Sequence, residues 1–379
     1  MSVRGVRALC ASVTCALVLA SAAPASASWR VVPTSGSGSL SAVSCVSTSV
    51  CTAVGVRVTP GSKLPPARGV ALAERWNGRN WAIQRTPTPT GSTSSELLDV
   101  SCTSRTFCIA VGWYSSRRHA SNTLVERWNG SRWSIQQTPK GFLASGVSCT
   151  SKTACTAVGG GPSTDGVSVD FGSFVVVVGR WNGSRWSIQR TPRLAGAGLG
   201  DVSCASAARC VAVGDAPGLD GYGTLAERWN RTTWSIQQTP TPGSYDWLWD
   251  VSCPSATACT AVGASIVAQG TGATVPVVER WNGHRWSLQP LSATDPYGYS
   301  SSLNSVSCPT STACTAVGGA LAERWNGSRW SGQPLPGISP PSPVVDLNGV
   351  SCPSATTCIA VGSVSDNYGR RAVLAERYS

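Results

Sequence analysis

Short runs of alternating apolar and polar residues recur along the chain, four to a unit. The unit reads L-x-x-x-V-S-C, five residues, C-x-A-V-G, a variable segment, then L-A-E-R-W-N-G-x-x-W-S-I-Q-x-T-P. In the first copy the runs are Leu40–Cys45, Cys51–Val56, Val70–Trp76 and Trp81–Arg85, each bounded by turn residues. A period of two bounded by turn residues predicts strands, and nothing in the unit has helical periodicity. The pairs Cys45/Cys51, Cys102/Cys108, Cys149/Cys155, Cys204/Cys210, Cys253/Cys259, Cys308/Cys314 and Cys352/Cys358 mark seven copies with the same internal spacing. A repeat of roughly 50 residues means a solenoid or a propeller. Four short strands per repeat predict a propeller blade.

Residue size gives the order of the strands. The first two runs carry Ser, Cys, Ala, Val and Gly, and the last two carry the tryptophans, such as Trp76 and Trp81. A blade is crowded at the axis and roomy at the rim, so the small runs belong inside. The last repeat stops after its third run, at Ala375-Glu376-Arg377-Tyr378. The segment Ser28-Trp29-Arg30-Val31-Val32-Pro33 matches the missing fourth run. The expected fold is therefore all-β, a seven-bladed β-propeller with four antiparallel strands per blade. Its ring is closed by the N-terminal strand completing the last blade, which protects the strand edges near the axis.

The repeat resembles the blades of the sialidase-like, Asp-box-related propeller superfamily, in particular those of the photosystem II assembly-factor type. Val100-Ser101-Cys102, Ile109-Ala110-Val111-Gly112, Trp128-Asn129-Gly130 and Trp133 occupy the family order of motifs. It is also similar to repeats of exported actinobacterial proteins. W-N-G stands where the family has its Asp-box aspartate, and a cysteine replaces the family aromatic. The resemblance implies the fold; the superfamily hosts enzymes, receptors and scaffolds, so it does not imply an activity.

Residues 1–27 are expected to be a signal peptide and 28–379 a single propeller domain. Arg4 and Arg7 form a positive n-region, Ala8 to Ala20 is a short apolar run, and Ala25-Ser26-Ala27 is an A-x-A site. Neither Cys10 nor Cys15 has the preceding small residue of a lipoprotein signal. The run is too short to span a bilayer, and no later stretch is long and apolar enough. Removing this leader lowers the net charge from +12 to +10 and the cysteines from 16 to 14. An even count in an exported chain reads as disulfides, and localisation is expected to be secreted, extracellular. The basic side chains are nearly all arginine; Lys63, Lys140 and Lys152 are the lysines. Such a balance suits binding of acidic polymers, or else charge spread evenly for solubility.

Each cysteine pair flanks the first turn of its repeat, where facing positions of a hairpin are at disulfide distance. Metal ligation is the weaker reading, because no histidine recurs beside the pairs. Asn-Gly in W-N-G suits a tight turn in which both residues tolerate positive φ; Asn230-Arg231 departs from it. The paired tryptophans read as packing between blades. Glu and Arg are adjacent in the third run, as in Glu74-Arg75, and adjacent strand residues point to opposite faces. A ring of arginine–glutamate pairs between blades is expected, with a gap at Gly179-Arg180.

Two faces follow from loop lengths. The cysteine turns and the W-N-G turns share one face and do not vary in length; the other two connections share the opposite face and vary widely. Binding usually sits on variable loops over a rigid scaffold. All eleven aspartates lie in or beside those loops. So do the candidate ligand-binding residues Trp113, Tyr114, Asp220, Tyr222, Tyr245, Trp247, Trp249 and Tyr368. Aromatic rings with carboxylates and arginines (Arg117, Arg118, Arg370, Arg371) are what sugar or peptide recognition uses, or they pack the loops onto the scaffold. Asp99, Asp201 and Asp250 sit three residues before a first cysteine, which places them near the channel mouth, to hold a structural cation or to cap strands.

The catalytic inventory is thin. The histidines are His119 and His284, and Glu96 is the one glutamate outside the framework. None of the H-E-x-x-H, G-x-S-x-G, P-loop or dinucleotide motifs is present. No cofactor is expected. The favoured reading is a secreted, non-enzymatic binding or scaffold module that recognises a glycan or protein through its variable face. The alternative is a sialidase-like glycoside hydrolase or lyase using loop carboxylates. The arginines of the W-N-G turns (Arg79, Arg132, Arg185, Arg285, Arg329) are read as solvated structural positions. No nucleic acid and no membrane span are expected, and the chain is expected to be a monomer.

Overall fold

The computed structural model describes residues 27–34, 36–58, 69–117, 122–162, 174–218, 221–266, 274–291, 302–336, 344–365 and 371–379. The chain is an all-β propeller with four-stranded antiparallel blades. Repeats are numbered one to seven in chain order. The first builds one sheet from Gly38–Ser47, Val50–Val58, Gly69–Trp76 and Trp81–Gln84, ordered as in the chain. Five such four-stranded sheets occur, and repeats four and five share a sheet of eight strands joined by one parallel bridge, Tyr222 to Tyr245. The last sheet takes its fourth strand from Trp29–Val31, which pairs antiparallel with Arg371–Tyr378 in the register Trp29 to Tyr378.

Two signature positions have backbone reasons. Every innermost strand described over that stretch changes register just before V-S-C; in repeat one the shift falls between Leu40 and Ala42. At this bulge the backbones crowd together. A Cβ on the facing glycine of C-x-A-V-G, such as Gly55, would collide with the carbonyl oxygen of Ser39.

The cysteines pair as their spacing predicts. Disulfides join Cys45 to Cys51, Cys102 to Cys108, Cys149 to Cys155, Cys204 to Cys210, Cys253 to Cys259, Cys308 to Cys314 and Cys352 to Cys358, with Cα atoms 3.9–4.1 Å apart. Closing so short a loop contributes about 2 kcal/mol each in the chain-entropy model. The second cysteine of each pair (Cys51, Cys108, Cys155, Cys210, Cys259, Cys314, Cys358) is buried in the core.

The register lays out two opposed rows per repeat. Cys45, Cys51, Trp76 and Trp81 face one another across four strands, and Ser44, Thr52, Arg75 and Ala82 form the neighbouring row on the other side. The second row docks on the first row of the next repeat. Each V-S-C serine accepts the N–H of the first cysteine of the next repeat, from Ser44 with Cys102 round to Ser351 with Cys45, all at 2.9–3.0 Å. Thr52 Oγ1 lies 3.7 Å from Cys108 Sγ, and the same contact recurs from Thr156 to Cys210, Thr260 to Cys314 and Thr315 to Cys358 at 3.3–3.7 Å. Arg75, Arg180, Arg228, Arg280 and Arg324 set their guanidinium carbons 4.1–5.8 Å from the ring centres of Trp128, Trp229, Trp281, Trp325 and Tyr378. The same arginines donate to carbonyls of the next cysteine turn at 2.6–3.4 Å. The tryptophan pairs pack tilted within each repeat, centroids 5.7–5.9 Å apart, and Trp29 with Tyr378 completes the series at 5.5 Å.

Two expectations are corrected here. Arg75, Arg180, Arg228, Arg280 and Arg324 pair with rings and carbonyls, not with the glutamates described next. Glu74, Glu126, Glu227 and Glu376 are buried with carboxylate oxygens that lack a hydrogen-bond partner, and Glu279 lies beside Thr224, whose hydroxyl donates to Pro240. Burial pushes Glu74, Glu227 and Glu376 up to about 7, and Glu126 and Glu279 up to about 8. The W-N-G turn also differs: its glycine alone takes positive φ (95–99°), while the asparagine caps the turn. Asparagine Oδ1 accepts the N–H groups two and three residues on at 2.8–3.0 Å. Arg231 holds φ at 91° in the glycine position. Elsewhere the glycine faces Ser49, Thr106, Thr153, Thr257 or Thr312, and the residue at that position in the turn opposite Arg231 is Ala208, the smallest of the set.

A side chain at positive φ costs on the order of 1–2 kcal/mol. Arg231→Gly should therefore raise the melting temperature by a few degrees, measured calorimetrically; an unchanged or lower value contradicts the strain. The glutamates set a pH dependence. Their folded values lie above the ordinary 4.5, so the native state binds more protons than the unfolded chain between pH 4.5 and 8. Stability is full below pH 4.5 and falls as pH rises through 7–8. Glu126→Gln should stabilise the protein at about pH 8.5 by at least about 1 kcal/mol and flatten this loss, read from urea midpoints at several pH values.

Candidate functional site

Segments of all seven innermost strands line a central cavity of about 190 Å³, bounded by Asp99, Asp201, Asp250, Trp249, Asn304, Asn348 and their neighbours. The residues three before the first cysteine run Ala42, Asp99, Gly146, Asp201, Asp250, Ser305 and Gly349. They follow the bulge, which aims them at the axis. The innermost strands Ser92–Ser104, Gly198–Ser206 and Tyr245–Ser255 start well before the aspartates, so these sit mid-strand and not at a strand start. The reason is that the strands extend through the bulge into the variable segment. No disulfide cysteine lines the cavity. Cys155, Cys210, Cys259, Cys314 and Cys358, like Cys51 and Cys108, belong to the framework between blades and take no part in this site.

These carboxylates bridge neighbouring repeats. Asp99 accepts the N–H of Val147 at 2.6 Å and of Val100 at 2.7 Å. Asp201 accepts from Val251 at 3.3 Å, Asp250 from Val306 at 2.7 Å, and the Ser305 hydroxyl from Val350 at 3.1 Å. All three aspartates are half-buried, with some surface open to the channel. Burial pushes Asp99 up to about 7, and the nearby Asp250 adds to the shift. Asp201 is held well above the ordinary range by burial, by the charges of Asp250 and Asp99, and by a carboxyl–carboxyl hydrogen bond to Asp250. The cavity lining contains no Arg, Lys or His. Among the described residues no group of three His, Cys, Asp or Glu is disposed to hold a metal ion.

The aromatic candidates separate into two places. Tyr222, Tyr245 and Trp247 come together where repeats four and five meet: Tyr222 and Tyr245 stack at 6.4 Å and 22°, Tyr245 and Trp247 at 6.2 Å and 23°. Tyr245 is 43% exposed. Trp249 is the extra residue of the bulge, 39% exposed at the rim of the cavity, with its backbone against Gly200. Trp113 and Tyr114 lie apart, in repeat two. Trp113 faces Glu96 across the strand pair and hydrogen-bonds its carboxylate, and Tyr114 packs on the core. Burial raises Glu96, against the lowering by Ser41 and Trp113. Asp220 and Tyr368 lie outside the described residues. The serine circuit escaped the sequence reading, although V-S-C occurs in all seven copies.

The fold and this axial site define a β-propeller. No protein-family model matches the chain. No curated protein matches it either. Among solved structures it is similar to YCF48 bound to a D1 peptide, at 14% identity and TM-score 0.54, covering 94% of this chain and 99% of that one. It is similar as well to the GH74 xyloglucanase of Xanthomonas campestris, at 11% identity and TM-score 0.54, covering 92% of this chain and 55% of that one. The chain thus spans about half the length of that xyloglucanase. Both likenesses are of fold alone.

Because Asp250 raises both other aspartates, Asp250→Asn should lower the apparent pKa of Asp99 and Asp201. Carboxyl carbon NMR titration reads this directly. Values that stay put after the substitution would show that Asp250 is not the source of the shift.

Proposed function

We propose that the chain is a secreted, seven-bladed propeller that binds a polypeptide segment on its variable face, with a basic side chain entering the acidic channel. The closed circuit of serine–cysteine hydrogen bonds supports seven blades, the eight-stranded sheet counting as two. Residues 1–27 are proposed as the leader of an exported chain. Seven disulfides are typical of extracellular proteins, and no described helix is long and apolar enough to cross a membrane.

One observation carries the reading: exposed Trp249 stands at a cavity lined by three aspartates and no basic side chain, with exposed Tyr245 further along the same strand. Binding hot spots centre on well-packed aromatic anchors, and an entering cation would favour the ionised form of the carboxyls beside this one. The cavity volume suits one linear side chain; it is below the roughly 300 Å³ at which small-molecule sites begin. That favours a lysine or arginine over a sugar ring, and so a binding module over a glycosidase with its carboxylates in the channel. The peptide-bound YCF48 shows that a similar fold can serve this purpose.

The test is selection from a random displayed peptide library. Enriched peptides should carry Arg or Lys beside an aromatic residue. Trp249→Ala should weaken a selected peptide by at least about tenfold, and Asp201→Asn should abolish the preference for a basic residue. Cleavage of xyloglucan or arabinan oligosaccharides with no peptide enrichment would instead establish the hydrolase alternative.

A further inference from the structure

Part of the basic charge gathers on one face that holds no acidic side chain in its turns. The cysteine turns and the W-N-G turns lie at one end of the blades, since Gly78 abuts Ser49 and Gly130 abuts Thr106. These turns carry nine of the arginines and lysines and not one acidic side chain. Six of the nine fall on repeats two to four, where both turns of each repeat bear one: Arg105 with Arg132, Lys152 with Arg185, Arg209 with Arg231. All six are exposed. Repeats one, five and six contribute Arg79, Arg285 and Arg329 singly, and repeat seven contributes none. The cations therefore form an arc across three adjoining blades.

A second observation points to use of this arc. Arg231 occupies a backbone position, φ 91°, that glycine fills in the other described W-N-G turns. A strained residue that persists marks a site where its side chain is wanted. The rest of the surface indicates the partner. Serine and threonine hydroxyls line the cysteine turns, paired as in Ser104 with Thr106 and Ser151 with Thr153. No large exposed apolar or aromatic side chain lies in these turns; the tryptophans beneath are buried. Bases need aromatic platforms to stack on. A hydrated, hydroxyl-rich chain carrying carboxylates needs only arginines and hydroxyls.

We infer that the arc on repeats two to four binds an acidic polysaccharide, independently of the variable face. Arginine suits it because its planar fork takes a carboxylate bidentately. Attraction between exposed charges is screened by salt, so binding weakens steeply as ionic strength rises.

The experiment measures binding of fluorescent polygalacturonate and of single-stranded DNA of matched length, by anisotropy, at about 50 mM and about 200 mM NaCl. Polygalacturonate should bind more tightly than DNA and lose affinity with salt. Replacing Arg105, Arg132, Lys152 and Arg185 with Ala should weaken it by on the order of tenfold or more. Replacing Arg79, Arg285 and Arg329 should weaken it less. Arg231→Gly serves as the control against misfolding, being more stable yet a weaker binder. Trp249→Ala should leave polygalacturonate binding unchanged, which separates this surface from the variable-face site. No binding at low salt, equal losses in the two arginine sets, or tighter binding of DNA would each overturn the assignment.

Discussion

Each repeat rests on the next through one pair of rows, Ser–Thr–Arg against Cys–Cys–Trp, and most of the signature exists to make that contact. The serine needs the first cysteine N–H at hydrogen-bond distance, which ties the innermost strands at one depth. The disulfide closes the hairpin that presents this N–H. The arginine needs a ring face and a turn carbonyl beyond it, which places the tryptophan and the cysteine turn together. The exceptions obey the same geometry. Arg127 and Arg377 lie opposite Ile109 and Ile359 where other repeats have Thr or Val, and theirs are the two arginines without a described ring contact. Isoleucine reaches one carbon further than the valine or threonine of the other repeats, into the space through which the guanidinium would pass; opposite Val211, Arg228 still reaches Trp281.

Strand order, disulfide pairing and the joining of the chain ends were legible because they rest on spacing and residue size, which a repeat displays several times over. What was not legible depended on distances between repeats. The Glu–Arg alternation correctly sent the two side chains to opposite faces. It could not show that the guanidinium reaches the indole and the turn carbonyl instead of the next carboxylate. Likewise, counting back from the cysteine put Asp99, Asp201 and Asp250 at the strand start, since a bulge and the strand beyond it leave no mark on the motif. Tyr222, Tyr245 and Trp247 were legible as loop aromatics, but their stacking depends on a bridge between two repeats.

The buried glutamates Glu74, Glu126, Glu227 and Glu376 have a physical logic. A buried ion pair requires desolvating both partners, and its attraction repays this only with excellent geometry. Here the arginine stays about half-buried against a ring, while the carboxyl escapes the cost by holding a proton. The one repeat without this glutamate supports the view that the slot is a volume to be filled. At Gly179 a Cβ would press on the ring of Phe142, which is fully buried in that place and packs on Trp186. An aromatic ring substitutes for a neutral acid more readily than it would for a charge.

This packing also explains why the two faces diverge. Row docking constrains the first and last residues of the cysteine and W-N-G turns, whose lengths therefore do not vary. The docking takes from the middle residues of the cysteine turns only their carbonyls, as at Arg105, so charge can collect on their side chains without loss of fold. At Arg231 the framework concedes even a glycine, with the small Ala208 at the facing position. The far face has no such constraint on length, and its segments differ in every repeat. Between them lies the channel, where the inner strands must approach closely and glycine or serine would suffice at each position. Asp99, Asp201 and Asp250 stand there against mutual repulsion and the cost of burial. Their backbone hydrogen bonds alone do not account for them, because Ser305 makes the same bond without the charge.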